Sequence, residues 1–273
     1  SDLFLDPTKL HPLNHRGEHF RVDGPLNLSR SPQGQPVIFQ AGISEEGKAL
    51  AGEVAEGIYA PGEDIDTARA YYRDVKGRLA QHGRHWDDLA ILVGATPVIA
   101  STDAEAHRLA REIYEADNDF DRKLAAFGRA FGAYDFSQHD LDAPFPDVSD
   151  LAEKGGRTRS AAIVERAAEG GLSLRQTVEE FTQYSPSPFI GSPETVADTI
   201  QDWFLGRAAD GLNLRARTPD DIDTFTSEVL PILQRRGLFR TEYEADTLRG
   251  NLGLRVPENS NTAGASASVL VEA

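Results

Sequence analysis

Short apolar runs alternate with amphipathic stretches along most of this chain, and that alternation constrains its fold more than any other feature. The runs are Pro36-Val-Ile-Phe-Gln-Ala41, Gly57-Ile-Tyr-Ala60, Leu89 to Ala100 and Gly211-Leu-Asn-Leu-Arg215. Each reads as a strand, the first as one buried on both faces. Helical spacing follows them: Ala49, Leu50, Val54 and Ala55, then Ala68, Tyr71, Tyr72, Val75 and Leu79, and later Ile222, Phe225, Val229 and Leu233. Strand-then-helix repetition means a parallel sheet covered by helices, with right-handed crossovers. About four such units make half of an eight-stranded barrel. A half barrel leaves two parallel edges unpaired, so either another half completes it or the sheet is open and doubly wound.

The other segments are read around this frame. Pro7, Pro12, Pro25, Pro32 and Pro36 make the first stretch loop-rich, with a small edge strand or hairpin arm at Glu18-His-Phe-Arg-Val22. Helices are expected over 64–81, over 103–126 as one long element, over 160–169 and 173–181, from 192 or 195 to 206, and over 220–236 with a kink at Pro231. The strand in Leu89 to Ala100 is expected to break at Gly94. Residues 127–187 interrupt the alternation and read as an insertion, a candidate substrate lid. Its Phe127, Phe131, Tyr134, Phe136, Phe181 and Tyr184 either line an apolar pocket or fasten the insertion to the sheet. No regular pattern is expected beyond Leu238. The segment 238–254 is an arm suited to a neighbouring copy, and 255–273 is expected to be disordered.

Composition narrows the function. Lysine and arginine total 28 against 44 acidic residues, a net charge of −16, which opposes nucleic acid and anionic membrane as partners. No cysteine is present, so thiol catalysis, disulfides and cysteine–metal sites are excluded. No apolar run approaches the roughly 20 residues of a membrane span. The segment starting at Ser1 lacks a signal-peptide pattern. The chain contains no methionine and starts at serine, which is expected of a processed or excised piece.

Several strings, in their order and spacing, carry a family resemblance: His11-Pro-Leu-Asn-His15, Gly24-Pro-Leu-Asn27, Ser31-Pro-Gln-Gly34, Gln40-Ala-Gly-Ile-Ser44, Gln234-Arg-Arg-Gly-Leu-Phe-Arg-Thr-Glu-Tyr-Glu244 and Asn251-Leu-Gly-Leu254. They resemble the C-terminal portion of the nitrilotriacetate monooxygenase component A family, part of the bacterial luciferase-like flavin monooxygenases. The resemblance implies an α/β fold: the C-terminal half of a TIM (β/α)8 barrel over 1–254, with a helical insertion at about 127–187 and a C-terminal arm. The missing part is then the N-terminal half of the barrel. The implied chemistry is that of a two-component flavin-dependent monooxygenase. It takes reduced FMN from a separate NAD(P)H:flavin reductase and oxygenates a small organic substrate through a flavin hydroperoxide. A cytoplasmic homo-oligomer is expected. The alternative is a catalytically silent flavin-binding or assembly subunit, or a truncated remnant, of such an enzyme.

Gln40-Ala-Gly-Ile-Ser44 is the leading candidate site, at the end of a strand and the start of a helix. Gly42 permits close backbone approach, and free amides at a helix start suit an anion. The resemblance assigns Ser44 to the FMN phosphate, with Gly42 and Ile43 beside it; read from the residues alone, Ser44 is an ordinary helix cap. Gly191-Ser-Pro-Glu-Thr195, a second strand-to-helix turn, is read as a cap. Arg215 and Arg217, at and past a strand end, are candidates for an anionic substrate group. His11, His15 and His19 are spaced by four, but Pro12 and Gly17 oppose a helix there, so no metal site is expected. No residue stands out as catalytic.

Overall fold

The computed structural model describes residues 5–60, 62–116, 118–152, 157–259 and 261. Of the expected disordered tail, residues 260 and 262–273 lie outside the described residues. The chain divides into two compact units: Gln40–Thr241, and a terminal unit in which residues up to Phe39 join those from Glu242 onward.

In the terminal unit, β1 (His15–Arg16) and β2 (Arg21–Val22) pair antiparallel, with His15 opposite Val22. Regular structure reappears beyond Leu238 as a one-turn helix, Leu248–Asn251, which the apolar pattern does not announce. Its determinants are polar. Thr247 caps it by accepting the Gly250 amide, and the Asn251 side chain closes the preceding loop through Ala245 and Thr247. Arg249, only 1% exposed, donates to the carbonyls of Gln35, Pro36 and Arg255.

The larger unit carries the sheet. Its strands are β3 (Phe39–Ala41), β4 (Gly57–Ala60), β5 (Ala90–Ala95) and β8 (Gly211–Leu214), in the spatial order β3-β4-β5-β8. β4 runs parallel to β5 with Gly57 beside Ala90, and β5 parallel to β8 with Leu92 beside Gly211. A second parallel pair joins β6 (Val98–Ile99) to β7 (Ile190–Gly191). The break between β5 and β6 falls at Thr96-Pro97, not at the expected Gly94. Proline has no amide to donate, whereas glycine leaves a ladder intact.

The helices are α1 (Glu45–Val54), α2 (Ile65–Arg78), α3 (Asp103–Ala116), α4 (Phe120–Gly128), α5 (Ser149–Ala152), α6 (Arg157–Gly170), α7 (Leu174–Phe181), α8 (Pro193–Leu205), α9 (Pro219–Thr224) and α10 (Leu230–Arg235). Short polar residues start them: Ser44 caps α1, Asp64 α2, Asp119 α4, Ser173 α7 and Ser192 α8. The cap at Asp119 is why 103–126 is two helices rather than one; its carboxylate accepts the Arg122 amide and begins a new element. Around Pro231 the helix opens into a turn of π-helix over Phe225–Val229 instead of simply kinking. The wider turn absorbs the hydrogen bond that proline cannot make.

The core beneath the sheet joins Ile58, Ile91 and Val93 to Val75 of α2, Leu79 just past its end, Phe189 just before β7 and Trp203 of α8. Residues 120–181 build a separate cluster around Phe127, Phe131, Phe136 and Leu174. One ion pair is buried with the main core: Lys76, 3% exposed, reaches Asp210 at 2.9 Å and the Trp86 carbonyl at 3.0 Å. Asp210 also accepts from the Tyr72 hydroxyl at 2.7 Å and the Ile91 amide at 2.8 Å. Every polar atom of that group thereby finds a partner, which is what makes a buried charge tolerable.

Candidate functional site

A cavity of about 1160 Å³ opens in the larger unit. Ligand pockets commonly run to roughly 300–1,000 Å³, so this one admits a cofactor-sized molecule with room beside it. Its floor is made where the parallel strands end: Ala41, Gly42 and Ile43 at β3, Gly62 past β4, Gly94 and Thr96 at β5, and Arg215 and Arg217 past β8. Ligands in parallel α/β sheets bind at this end because the strand-to-helix turns converge there.

Two glycines keep the floor low. A Cβ on Gly62 would meet the Gly94 carbonyl oxygen at 2.7 Å, and one on Gly94 would collide with the Tyr59 hydroxyl. Tyr59 itself lines the cavity and is 36% exposed. On another wall the rings of Tyr114 and Tyr184 meet at a 42° tilt with centroids 4.7 Å apart, and the Lys123 ammonium lies 5.4 Å from the Tyr114 centroid.

The turn Gly42-Ile43-Ser44 leads from β3 into α1. Ser44 Oγ accepts the Gly47 amide at 3.1 Å, and its carbonyl accepts the Lys48 amide at 2.9 Å. Ser44 is therefore the cap that its residue type suggests. Gly42 and Ile43 line the cavity, while Ser44 stands one residue behind them at the helix start. Among the described residues, the amides of Ile43 and Ser44 have no acceptor. The Gly42 carbonyl is turned the other way and accepts from the Tyr71 hydroxyl at 2.9 Å. Burial pushes the Tyr71 phenol up to about 12.

The two arginines singled out from sequence both line the cavity, but they differ electrically. Arg217 is held by Asp221, 3.0 Å from its guanidinium, and its amide donates to the same carboxylate at 2.8 Å. Burial alone would raise the Asp221 carboxyl; the amides of Thr218 and Arg217 and the Arg217 guanidinium outweigh it and hold it below the usual range. The Arg215 side chain has no partner among the described residues. Of the aromatic residues singled out in 127–187, Phe127, Phe131 and Phe136 are buried in one cluster with Tyr134 packed against it; Phe181 packs against the same cluster and, like Tyr184, lines the cavity.

The other strand-to-helix turn is closed to anions. The Asp103 carboxylate accepts the Ser192 amide at 2.7 Å, and Ser192 Oγ accepts the Thr195 amide at 3.3 Å. A fixed carboxylate occupies the position an anion would take, so this turn is a cap, as its sequence reads. His11, His15 and His19 lie exposed in the terminal unit. Among the described residues, no group of three or more His, Cys, Asp or Glu side chains is placed to hold a metal ion, and no helix is long and apolar enough to cross a membrane. Sequence reasoning did not single out Tyr59, Gly62, Gly94 or Tyr71 for the site. A signal was available for three of them: Tyr59 lies near the end of one apolar run, Gly62 just past it, and Gly94 interrupts the next.

Comparison with known proteins yields a consistent set. The luciferase-like monooxygenase family matches residues 7–209. Nitrilotriacetate monooxygenase component A of Aminobacter aminovorans is 41% identical over 258 residues, covering 92% of this chain and 56% of that protein. N-acetyl-S-(2-succino)cysteine monooxygenase of Bacillus subtilis (strain 168) is 38% identical over 258 residues, covering 94% of this chain and 58% of the relative. A crystal structure of riboflavin lyase, solved with modified FMN and riboflavin, superposes with a TM-score of 0.76 at 32% identity, over 93% of this chain and 55% of that one. The chain thus spans little more than half the length of the proteins it matches.

Proposed function

Because this chain belongs to the luciferase-like monooxygenase family, we propose that it forms the C-terminal half of a (β/α)8 barrel whose parent protein is a two-component, FMN-dependent monooxygenase. The observation that carries the reading is the cavity at the strand ends, floored by Gly62 and Gly94, with the unoccupied amide of lining residue Ile43 and, one residue behind it, that of Ser44. Those features fit FMN. The amides of Ile43 and Ser44 at the start of α1 suit its phosphate, the low glycine floor suits a flat ring system, and Tyr59 stands beside that floor. Gly42, Ile43 and Ser44 are accordingly the proposed cofactor residues.

Bound reduced FMN supplies the electrons with which dioxygen is activated and one oxygen atom is delivered to the substrate. The chain's own part is to bind, orient and shield. Ile43 and Ser44 hold the anionic end by backbone donors. Phe181, Tyr184 and Tyr114 exclude water from one side of the cavity, which protects a reactive centre from solvent. Arg215 offers an uncommitted positive charge to an anionic group of a small organic substrate; Arg217, already tied to Asp221, offers less. The remaining barrel strands come from the part of the parent protein that this chain does not include, and a separate NAD(P)H:flavin reductase provides the reduced flavin. We assign the protein to the cytoplasm and to a homo-oligomer, the latter because Phe239, Tyr243 and Leu248 of the arm are 45%, 82% and 57% exposed.

The test is made on the intact polypeptide containing this chain. Supplied with a flavin reductase, NADH and FMN, it should consume oxygen in proportion to added substrate, without matching peroxide release, across a panel of small carboxylates and sulfur compounds. Flavin binding without any substrate-dependent oxygen uptake would reject the monooxygenase reading.

A further inference from the structure

Tyr71 lies on α2, outside the cavity, yet its hydroxyl donates to the Gly42 carbonyl at 2.9 Å. Every described peptide bond is trans. In a trans peptide the carbonyl and the following amide point in opposite directions. Tyr71 therefore fixes not only the Gly42 carbonyl but also the direction of the Ile43 N–H, which must point away from α2. Gly42 and Ile43 line the cavity and Tyr71 does not, so the far side of this peptide is the cavity side.

The peptide needs such a lock. Its orientation is set by ψ of Gly42 and φ of Ile43, and glycine rotates with little steric resistance. Nothing else described binds the Gly42 carbonyl, and the Ile43 amide has no acceptor to hold it. Without Tyr71 the plane could turn over and present a carbonyl oxygen where an anion is to bind. Burial of the phenol keeps it protonated and donating through the whole physiological range.

We propose that Tyr71 is a positioning residue that locks the Gly42–Ile43 peptide with its amide toward the cavity, so that the site selects a flavin bearing a phosphate over one that lacks it. The inference rests on the FMN reading above and adds the source of its selectivity. Tyr71 touches neither flavin nor substrate; it acts through one peptide.

The experiment compares FMN with riboflavin, which shares the ring system and lacks the phosphate, on the intact polypeptide. Tyr71→Phe should raise the Kd for FMN about tenfold, the factor given by about 1.4 kcal/mol of lost hydrogen bonding, and leave the Kd for riboflavin within about twofold. Riboflavin binding also reports that the variant is folded. A second measurement needs no variant: in the wild type, hydrogen exchange at the Ile43 amide should slow on adding FMN and not on adding riboflavin. Equal losses for both flavins, no loss for either, or an Ile43 amide indifferent to the phosphate would each overturn the lock while the flavin reading stands. A wild-type protein that binds neither flavin would overturn the flavin reading itself, and the lock with it.

Discussion

Ser44 illustrates how one residue can be legible in sequence and still hold two roles. Its place before Glu45 and Glu46 marks a helix start, and the structure shows the cap bond to Gly47. Its proposed part in anion binding belongs to the same turn. Ser44→Asp separates the two. Aspartate caps about as well as serine, so thermal stability should change by less than about 0.5 kcal/mol, while its charge should abolish detectable FMN binding. Retained FMN affinity in that variant would remove the phosphate from this turn. Gly94 is the opposite case: sequence marks it only as a break in a strand, and the structure shows it passing against Tyr59. Gly94→Ala should destabilise by about 1–3 kcal/mol through overpacking, and adding Tyr59→Phe should recover part of that loss. Additive costs in a double-mutant cycle of thermal unfolding would show that the two residues do not meet.

At the scale of elements, most helix starts are local and readable, the one at Asp119 excepted; what satisfies a helix end is not. The C-terminal carbonyls of α1 are satisfied from a distance. Arg84 donates to the carbonyls of Ala51, Gly52 and Ala55, and also to that of Asp88 in the next turn. A guanidinium at a helix C-terminus is favourable both as donor and as countercharge to the helix dipole. Burial lowers the Arg84 side chain from its usual range, but it remains charged at neutral pH. Arg84→Met should cost about 3 kcal/mol, since charge-assisted bonds contribute roughly 1.5–3 kcal/mol each and several carbonyls would be stranded. Urea unfolding would register this as a lower midpoint at unchanged slope; a shift below 0.5 kcal/mol in the same assay, about the scale of an ordinary surface substitution, would contradict the role. The π-turn at Phe225–Val229 and the division of 103–126 at Asp119 belong to the same scale: each is set by a single residue whose effect depends on its neighbours.

For the whole molecule, the excess of acid over base has a thermodynamic sign. Asp74 is held below its ordinary 3.8 by Lys48 and then Arg78, Asp64 by the hydroxyl and amide of Thr67, and Asp103 chiefly by the Ser192 amide. A carboxylate with a lowered folded value stabilises fully above its unfolded value and loses that contribution as pH falls through the folded one. Stability should therefore hold from neutral pH down to about 4 and fall below it. Asp74→Asn should show a shallower fall in Tm between pH 4 and pH 2 than the parent. An identical slope would remove the Lys48–Asp74 pair from the acid response.

Sequence alone determined the alternation of strand and helix, the parallel sheet, the caps at Ser44 and Ser192, and the place of the Gly42–Ser44 turn at a strand end. These are properties of periodicity and of short polar side chains, which act within a few residues. Tertiary structure alone decided the rest. It brought Gly62 and Gly94 under one cavity, gave Arg217 to Asp221 and left Arg215 uncommitted, sent Phe127 into one core and Tyr184 toward the cavity, and set Tyr71 against the Gly42 carbonyl. Each of those pairings joins residues whose meeting depends on how the elements pack, and packing is a relation between surfaces that no local spacing encodes.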